Sequence, residues 1–571
     1  FEPVAPSLRL VDTRPEYGSF GYSSVNLSTI RVAVAGRTVN GITIPSDATA
    51  AVFSVVGINL DPGGSFVAAY PSRTALPNTS NLNLQGAGDV ANNLVTVKLG
   101  TDGAVEFFRL KAGHVVVDLV GVYRPAGGHT REGRFEPLGG LGGNGPAAMR
   151  IYSPSTNGIP GDGQVVNVDV QGLIDRGLIE PDAKAVVANL TAAWSAQAGF
   201  VSAYPYGEEL PETSSLNYLG GAVRAANSFI RIGTDPRTGR KGFHLFVLRS
   251  AQIFVDVTGF ITGENSKNRT TTGQFVAVTP QRLLDTRSAN SAMRGIGGGK
   301  RLWKNWTRQF RLPSSIRSQA GAVAVNLTIV EAMAPGFLTL HPALTRRQEV
   351  SNVNSFFAGQ VAANHAVSTV STSGLSVFSS HGASVVCDLV GYYKGVGVPT
   401  TEQPQPDPPP PAIAPPYNLH IPRVGRVIEV TSGQFSSAVV NTGRAWHWTG
   451  TGQVGNNQSP IGTFAHRTDA SGPYRNIDWL GPGDTVFIDT ADQRRYHYRY
   501  LDREWTGKRD EDVLAATFRQ PGEILSLIAC TVGNDSRKSR WPNPWAPTSL
   551  EYRIIVRLQL IGWEDRAPTP F

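Results

Sequence analysis

"VVVDLVGVY", residues 115–123, returns as "IFVDVTGF" at 253–260 and as "SVVCDLVGYY" at 384–393. Two other pieces recur in the same order at a period of about 135 residues. The first is "GGSFVAAYP" (63–71), "AGFVSAYP" (198–205) and "PGFLTLHP" (335–342), and the second is "TSNLNL" (79–84), "TSSLNY" (213–218) and "VSNVNS" (350–355). An opening "RLVDTR" (9–14) reappears as "RLLDTR" (282–287) and has decayed to "RIYSPS" (150–155) in the middle copy. Short alternating apolar stretches between Gly and Pro punctuation read as strands with one buried face. Each copy has the size of a β-sandwich, and the period is too long for a solenoid unit. The reading is therefore three tandem β-sandwich-like repeat domains at 1–124, 132–263 and 274–394, strung as beads with separate cores.

Composition agrees. Among 571 residues there are 62 Gly and 39 Pro, and 17% are charged, which favours an all-β chain of several domains. No stretch approaches the roughly 18 apolar residues of a membrane helix, so no transmembrane segment is expected. The sequence opens on Phe1, which suggests processed, exported material. The net charge is +8, yet no dense Lys/Arg run or basic helix stands out, which argues against nucleic acid as a partner. Two lone cysteines supply no disulfide framework and no zinc spacing, and no cofactor or metal is expected.

The repeat resembles a domain recurrent in secreted and surface proteins of actinobacteria, known by its "RLLDTR" start, "SNLN" centre and "DLVGYY" end. The resemblance covers about residues 1–395 and implies surface display without an assigned chemistry. Asp118, Asp256 and Asp388 occupy equivalent places, as do Asn83, Asn217 and Asn354. They are read as buried groups satisfying turn and strand-end backbone rather than as ligands. Cys387 stands where the other copies have Val117 and Val255, so it is a small core residue. "LPNTS" (76–80) and "LPETS" (210–214) look like cleavage signals, but they lie in the repeat's own central segment and read as turn residues. Residues 395–416 form a proline-rich linker, stiff and extended.

The last stretch, 417–571, is richer in Trp and Arg. It holds Cys530 in "SLIACTVGND" (526–535), after an apolar run and before a polar loop. A cysteine nucleophile needs a base or cation to hold the thiolate, and a donor for the oxyanion. His447 lies between two tryptophans and reads as packing. His497 sits in an alternating Arg/Tyr/His strand and reads as solvated or packed. His466, in "FAHRTD", begins a polar turn after a short strand, where catalytic groups project. In "EYRIIVRLQLIGW" (551–563), Arg553 and Arg557 share a strand face.

These pieces resemble a sortase, the cysteine transpeptidase family of Gram-positive surfaces. "HIPRVGRVIEV", "GRAWHWTGTG", "FAHRTD", "LSLIACT" and "YRIIVRLQL" follow one another as the family's motifs do, from about Tyr417 to Asp565. The resemblance implies an eight-stranded β-barrel with Cys530, His466 and Arg553 as the catalytic set. It implies a sorting-signal peptide as substrate and a cell-wall or pilin amine as acceptor. Ala529 and Ala465 depart from the family's usual Thr and Gly, and the 531–552 loop is unusually long. The expectation is a secreted or cell-surface transpeptidase whose repeats bind envelope glycan or self-associate. The rival is an extracellular structural protein (a filament, surface-layer or virion subunit) that uses the barrel for assembly or self-crosslinking.

Overall fold

The computed structural model describes the chain except residues 17–27, 126–130, 140–144, 269, 288–300, 303, 402–414, 433–439, 441, 456–458, 468–471, 492–493, 520–522, 532–551 and 566–571. It is nearly all β, in two compact units, Phe1–Pro404 and Gln405–Phe571.

In the first unit one sheet order is built three times. In the first copy, Glu2–Asp12 pairs with Gly113–Tyr123, which pairs with Ala50–Asn59 and then Val90–Lys98. The third copy repeats this with Phe275–Asp285, Ser384–Lys394, Ala320–Val330 and Ala362–Thr369. The middle copy does so with its opening strand split into Phe135–Pro137 and Met149–Tyr152. A second sheet faces each of these; in the first copy its order is Ser28–Ala33, Ala104–Arg109, Ser65–Pro71, Leu82–Leu84.

The expectation of separate beads is corrected here. Ala50, Val52, Leu94 and Tyr123 of the first copy form one hydrophobic cluster with Phe135, Ala185, Val187 and Phe229 of the second and Ala322, Ala324, Val367 and Tyr393 of the third. The Tyr123 and Tyr393 hydroxyls meet at 2.6 Å inside it. The physical cause is visible in the strands: Ala185–Ala193 is buried at every position. Such a strand belongs to a sheet covered on both faces. One face fills its own sandwich and the other fills the junction of the three copies.

Polar groups close that junction as a ring. Ser54, Asn189 and Asn326 stand opposite Asp118, Asp256 and Asp388 in the ladders, so they are equivalent. Ser54 Oγ donates to Ser214 O of the second copy at 3.3 Å. Asn189 Nδ2 donates to Ser351 O of the third at 2.6 Å, and Asn326 Nδ2 donates to Ser80 O of the first at 2.6 Å. Each copy thus bonds the next in cyclic order, a head-to-tail arrangement that closes at three.

The three equivalent aspartates do not cap backbone as expected. Arg9 grips Asp118 through Nε and Nη2 at 2.8 and 3.1 Å, Arg150 grips Asp256 at 2.7 and 2.9 Å, and Arg282 Nε meets Asp388 at 2.5 Å. Carboxylates this buried need a paired cation. Cys387 has no solvent exposure, and burial pushes its thiol far up, as a core position requires. The start of the expected linker is part of the first unit: Gly395 N bonds Gln319 O, Val398 N bonds Val370 O and Thr401 N bonds Leu344 O. The rest of it, 402–414, lies outside the described residues.

The second unit is a closed barrel of eight strands: β1 (Tyr417–Ile421), β2 (Arg426–Thr431), β3 (Ala445–His447), β4 (Ile461–Phe464), β5 (Thr485–Thr490), β6 (Arg494–Gly507), β7 (Ile524–Thr531) and β8 (Tyr552–Asp565). Around the barrel the order is β1-β2-β3-β4-β7-β8-β6-β5. Helix α1 (Asp510–Thr517) lies between β6 and β7 in the chain.

Candidate active site

Strand alternation decides which side chains reach the site. Leu525, Leu527 and Ala529 of β7 enter the barrel core, as do Ile554, Val556 and Leu558 of β8. The intervening Ile528 and Ile555 therefore face outward, where they pack with Val513 and Ala516 of α1 and with Trp448 and Phe464. Cys530 follows Ile528 by two residues and Arg553 precedes Ile555 by two, so both belong to this outer face. In the antiparallel ladder Cys530 stands directly opposite Arg553.

The histidine comes from the other side of β7. β4 runs parallel to β7 with Phe464 beside Ile528. Ala465 N extends the pairing to Ile528 O at 3.2 Å. His466 is two residues past Phe464, as Cys530 is two past Ile528. The three residues thus come from the segment that continues β4 and from the neighbouring strands β7 and β8, at one end of the ladder. All three are partly exposed.

The backbone carrying His466 is held from beneath. Its carbonyl accepts Tyr474 N at 2.9 Å, and Tyr474 Oη donates to Thr463 Oγ1 at 2.6 Å. Thr463 Oγ1 in turn donates to Ser526 O on β7 at 3.0 Å. The next residue, Arg467, makes a 2.9 Å ion pair with Asp478, each side chain only 3% exposed. A buried pair of this kind fixes a loop because either partner alone is strongly unfavourable. Nothing in the local sequence marks Asp478 as the partner of Arg467.

The competing candidates go elsewhere. His447 is buried, its Nδ1 3.1 Å from Tyr417 Oη, and burial pushes its pKa down to about 4. His497 is half-buried, its ring 6.1 Å from that of Phe487. Arg557, on the same face as Arg553, is already engaged: Nε donates to Asp502 Oδ1 at 2.6 Å and Nη1 to Ala516 O at 2.7 Å, tying α1 to the barrel. Ala465 and Ala529 both point into the core, so the small residues at these places leave the outer face unaltered. Residues 532–551 of the long loop lie outside the described residues. Among the described residues no group of three or more His, Cys, Asp or Glu could hold a metal, and no helix is long and apolar enough to cross a membrane.

The two signal-like pentapeptides are built into the junction of the repeats. Asn78 O accepts Arg282 Nη2 at 2.7 Å and Ser80 O accepts Asn326. In the other, Thr213 O accepts Ser202 Oγ at 2.7 Å and Ser214 O accepts Ser54.

The second unit is thus a closed eight-stranded barrel that brings a histidine, a cysteine and an arginine to neighbouring positions at one end of the β4–β7–β8 ladder. Residues 419–541 match the family model described as the sortase domain, so the second unit carries a sortase domain. Sortase SrtE1 of Streptomyces coelicolor is 27% identical over 126 residues, 20% of this chain and 35% of the relative. The chain thus spans about a third of the length of the curated relative it matches. Among solved structures, sortase E1 from Streptomyces coelicolor with a tripeptide in its active site is 23% identical, covering 28% of this chain and 94% of that one with a TM-score of 0.23. The SrtA sortase from Actinomyces oris is 22% identical, covering 29% and 93%, with a TM-score of 0.24.

Proposed function

We propose that the chain is a secreted or cell-surface cysteine transpeptidase that joins the threonine carboxyl of a sorting-signal peptide to an amine acceptor. The observation that carries this reading is the row His466, Cys530, Arg553 at one end of the β4–β7–β8 ladder. The Cys530 thiolate attacks the threonine carbonyl carbon and forms a C–S bond, while Arg553 donates hydrogen bonds to the developing oxyanion. The threonine C–N bond then breaks, and the imidazolium of His466 gives its proton to the departing amine. An acceptor amine from peptidoglycan or a pilin attacks the thioester, its proton returns to His466, and Cys530 leaves as thiolate. The acyl bond energy is retained throughout, so no nucleotide is consumed.

The second reading, an extracellular structural subunit using the barrel for assembly or self-crosslinking, draws support from the closed ring of three repeats. One experiment separates them. The folded chain is alkylated across pH with peptide-level mass spectrometry, Cys387 acting as the buried control. A Cys530 pKa displaced from ~8.5, with the displacement lost in His466→Ala, supports the transpeptidase. A Cys530 as inert as Cys387, or one titrating independently of His466, rejects it, and self-crosslinking with it, in favour of a structural subunit that uses the barrel for assembly alone.

A further inference from the structure

The three copies of the repeat follow one plan, so a departure confined to one copy is not demanded by the fold. One such departure walls a cleft of about 730 Å³ between the second and third copies. Trp194 follows Ala193, which stands opposite Gln252 in its ladder. By the same register the corresponding residues are Asn59, 1% exposed, and Glu331, bonded by Ser384. Phe254 likewise corresponds to Val116 and Val386. Only the second copy places two aromatic rings here.

Trp194 is 65% exposed; its left-handed backbone (φ 53°) is shared by the equivalent Glu331 (φ 52°), so the second and third copies differ here in the side chain and not in the backbone. Trp194 makes no hydrogen bond, ring contact or cation contact among the described residues. Phe254, by contrast, is covered by the Arg150 guanidinium at 4.8 Å. Phe337 continues the apolar wall on the third copy. Hydrogen-bonding groups ring it: Arg347, whose guanidinium lies 4.0 Å over Phe378, exposed Glu349, and Asn354. The side-chain oxygen of Asn354 is buried without a partner, whereas the equivalent Asn83 Oδ1 accepts Ser80 Oγ and Asn217 Nδ2 donates to Ser214 Oγ.

We propose that this cleft binds a polysaccharide, one hexopyranose ring stacking on the free face of Trp194. A pyranose presents a flat face of C–H groups that suits an uncovered indole, and a rim of hydroxyls that pairs with amide, carboxylate and guanidinium groups. Strand addition by a peptide has little edge to use here: the wall strand Ala185–Ala193 is paired on both sides, and the edge strand Val353–Ser355 in the lining is three residues long. The cleft lies wholly in the first unit, so the proposal stands apart from the transpeptidase reading.

The test is retention of the full chain on three insoluble polysaccharides: chitin, cellulose and purified peptidoglycan sacculi. The variants are Trp194→Asn, which takes the first copy's residue, and Leu60→Ser, which removes an exposed apolar side chain elsewhere. The wild-type chain is expected to be retained on at least one polymer and released by its soluble oligosaccharide. Trp194→Asn is expected to weaken retention tenfold or more while melting at the same or a higher temperature, because Asn accepts a left-handed backbone. Leu60→Ser is expected to bind normally. Passage of the wild type through all three polymers overturns the proposal. So does equal retention of Trp194→Asn, or release by an apolar peptide and not by oligosaccharide, which marks a peptide site.

Discussion

Cys530 and Arg553 face each other across the β7–β8 ladder, on the side of the barrel that turns away from its core. Further along β8, the same face carries a second arginine, Arg557, whose donors are spent on Asp502 and Ala516. The two arginines on this face differ in their partners: Arg557 is tied to Asp502 and to α1, while Arg553, opposite Cys530, donates from Nη1 to Tyr552 O at 3.0 Å.

That contrast gives the first prediction. Arg553→Gln is expected to lower kcat/KM on a sorting-signal peptide by about 10²–10³, the usual loss of an oxyanion donor, with little change in Tm. Arg557→Gln is expected to destabilise the barrel by roughly 2 kcal/mol, because the Ala516 carbonyl at the end of α1 and the partly exposed Asp502 and Glu504 lose a charged donor. Peptide kinetics and thermal melts on both variants check this; equal effects on Tm would contradict it.

The pair beneath the histidine gives the second. Asp478→Asn leaves the Arg467 guanidinium buried without its counter-charge, at a cost of about 3 kcal/mol. Activity is expected to fall as well, through the displaced His466 backbone. The double variant Arg467→Met/Asp478→Leu is expected to recover most of the stability. Denaturant melts of the single and double variants decide the matter.

Cys387→Val adopts the residue of the other two copies at a fully buried position. It is expected to change stability by less than about 1.5 kcal/mol. The product has Cys530 as its one thiol, so intact-mass measurement after alkylation reports directly on the candidate nucleophile.

The third repeat sets an acid limit on the first unit. Burial pushes the pKa of His365 down to about 3, and those of His341 and His381 down to about 4. Below the unfolded value near 6.5 the unfolded chain binds protons that the folded one refuses, so stability falls as pH drops from about 6.5. Burial raises the carboxyls of Asp118, Asp256 and Asp388, which oppose the trend nearer pH 4. His365→Asn, the second copy's residue, is expected to flatten the slope by up to about 1.4 kcal/mol per pH unit, measured as Tm against pH.

Features that one strand carries by itself are legible in the sequence. Alternation in "YRIIVRLQL" correctly separates Arg553 and Arg557 from the core, and alignment of Cys387 with two valines places it inside. Relationships spanning distant segments are not legible in that way. Arg9 and Asp118 lie 109 residues apart, and nothing around either names the other. The joining of the repeats is obscured differently. "AVVANLTAA" (185–193) is too uniformly buried for a one-sided strand, yet a short apolar run reads equally well as the interior of a lone sandwich. The site lies between these cases. Its order along the chain is visible, while the parallel β4–β7 pairing that carries His466 to the level of Cys530 is a property of the closed barrel.

The ring of repeats also has a meaning for stoichiometry. Three separate chains would assemble such a ring only above some concentration, and each would bring a barrel. One continuous chain replaces that equilibrium with an intramolecular one, so the ring survives dilution and carries a single barrel. Because the copies are separate stretches of one sequence, each groove is free to change by itself. An indole can then occupy one junction while an asparagine and a glutamate stand at the corresponding places of the others.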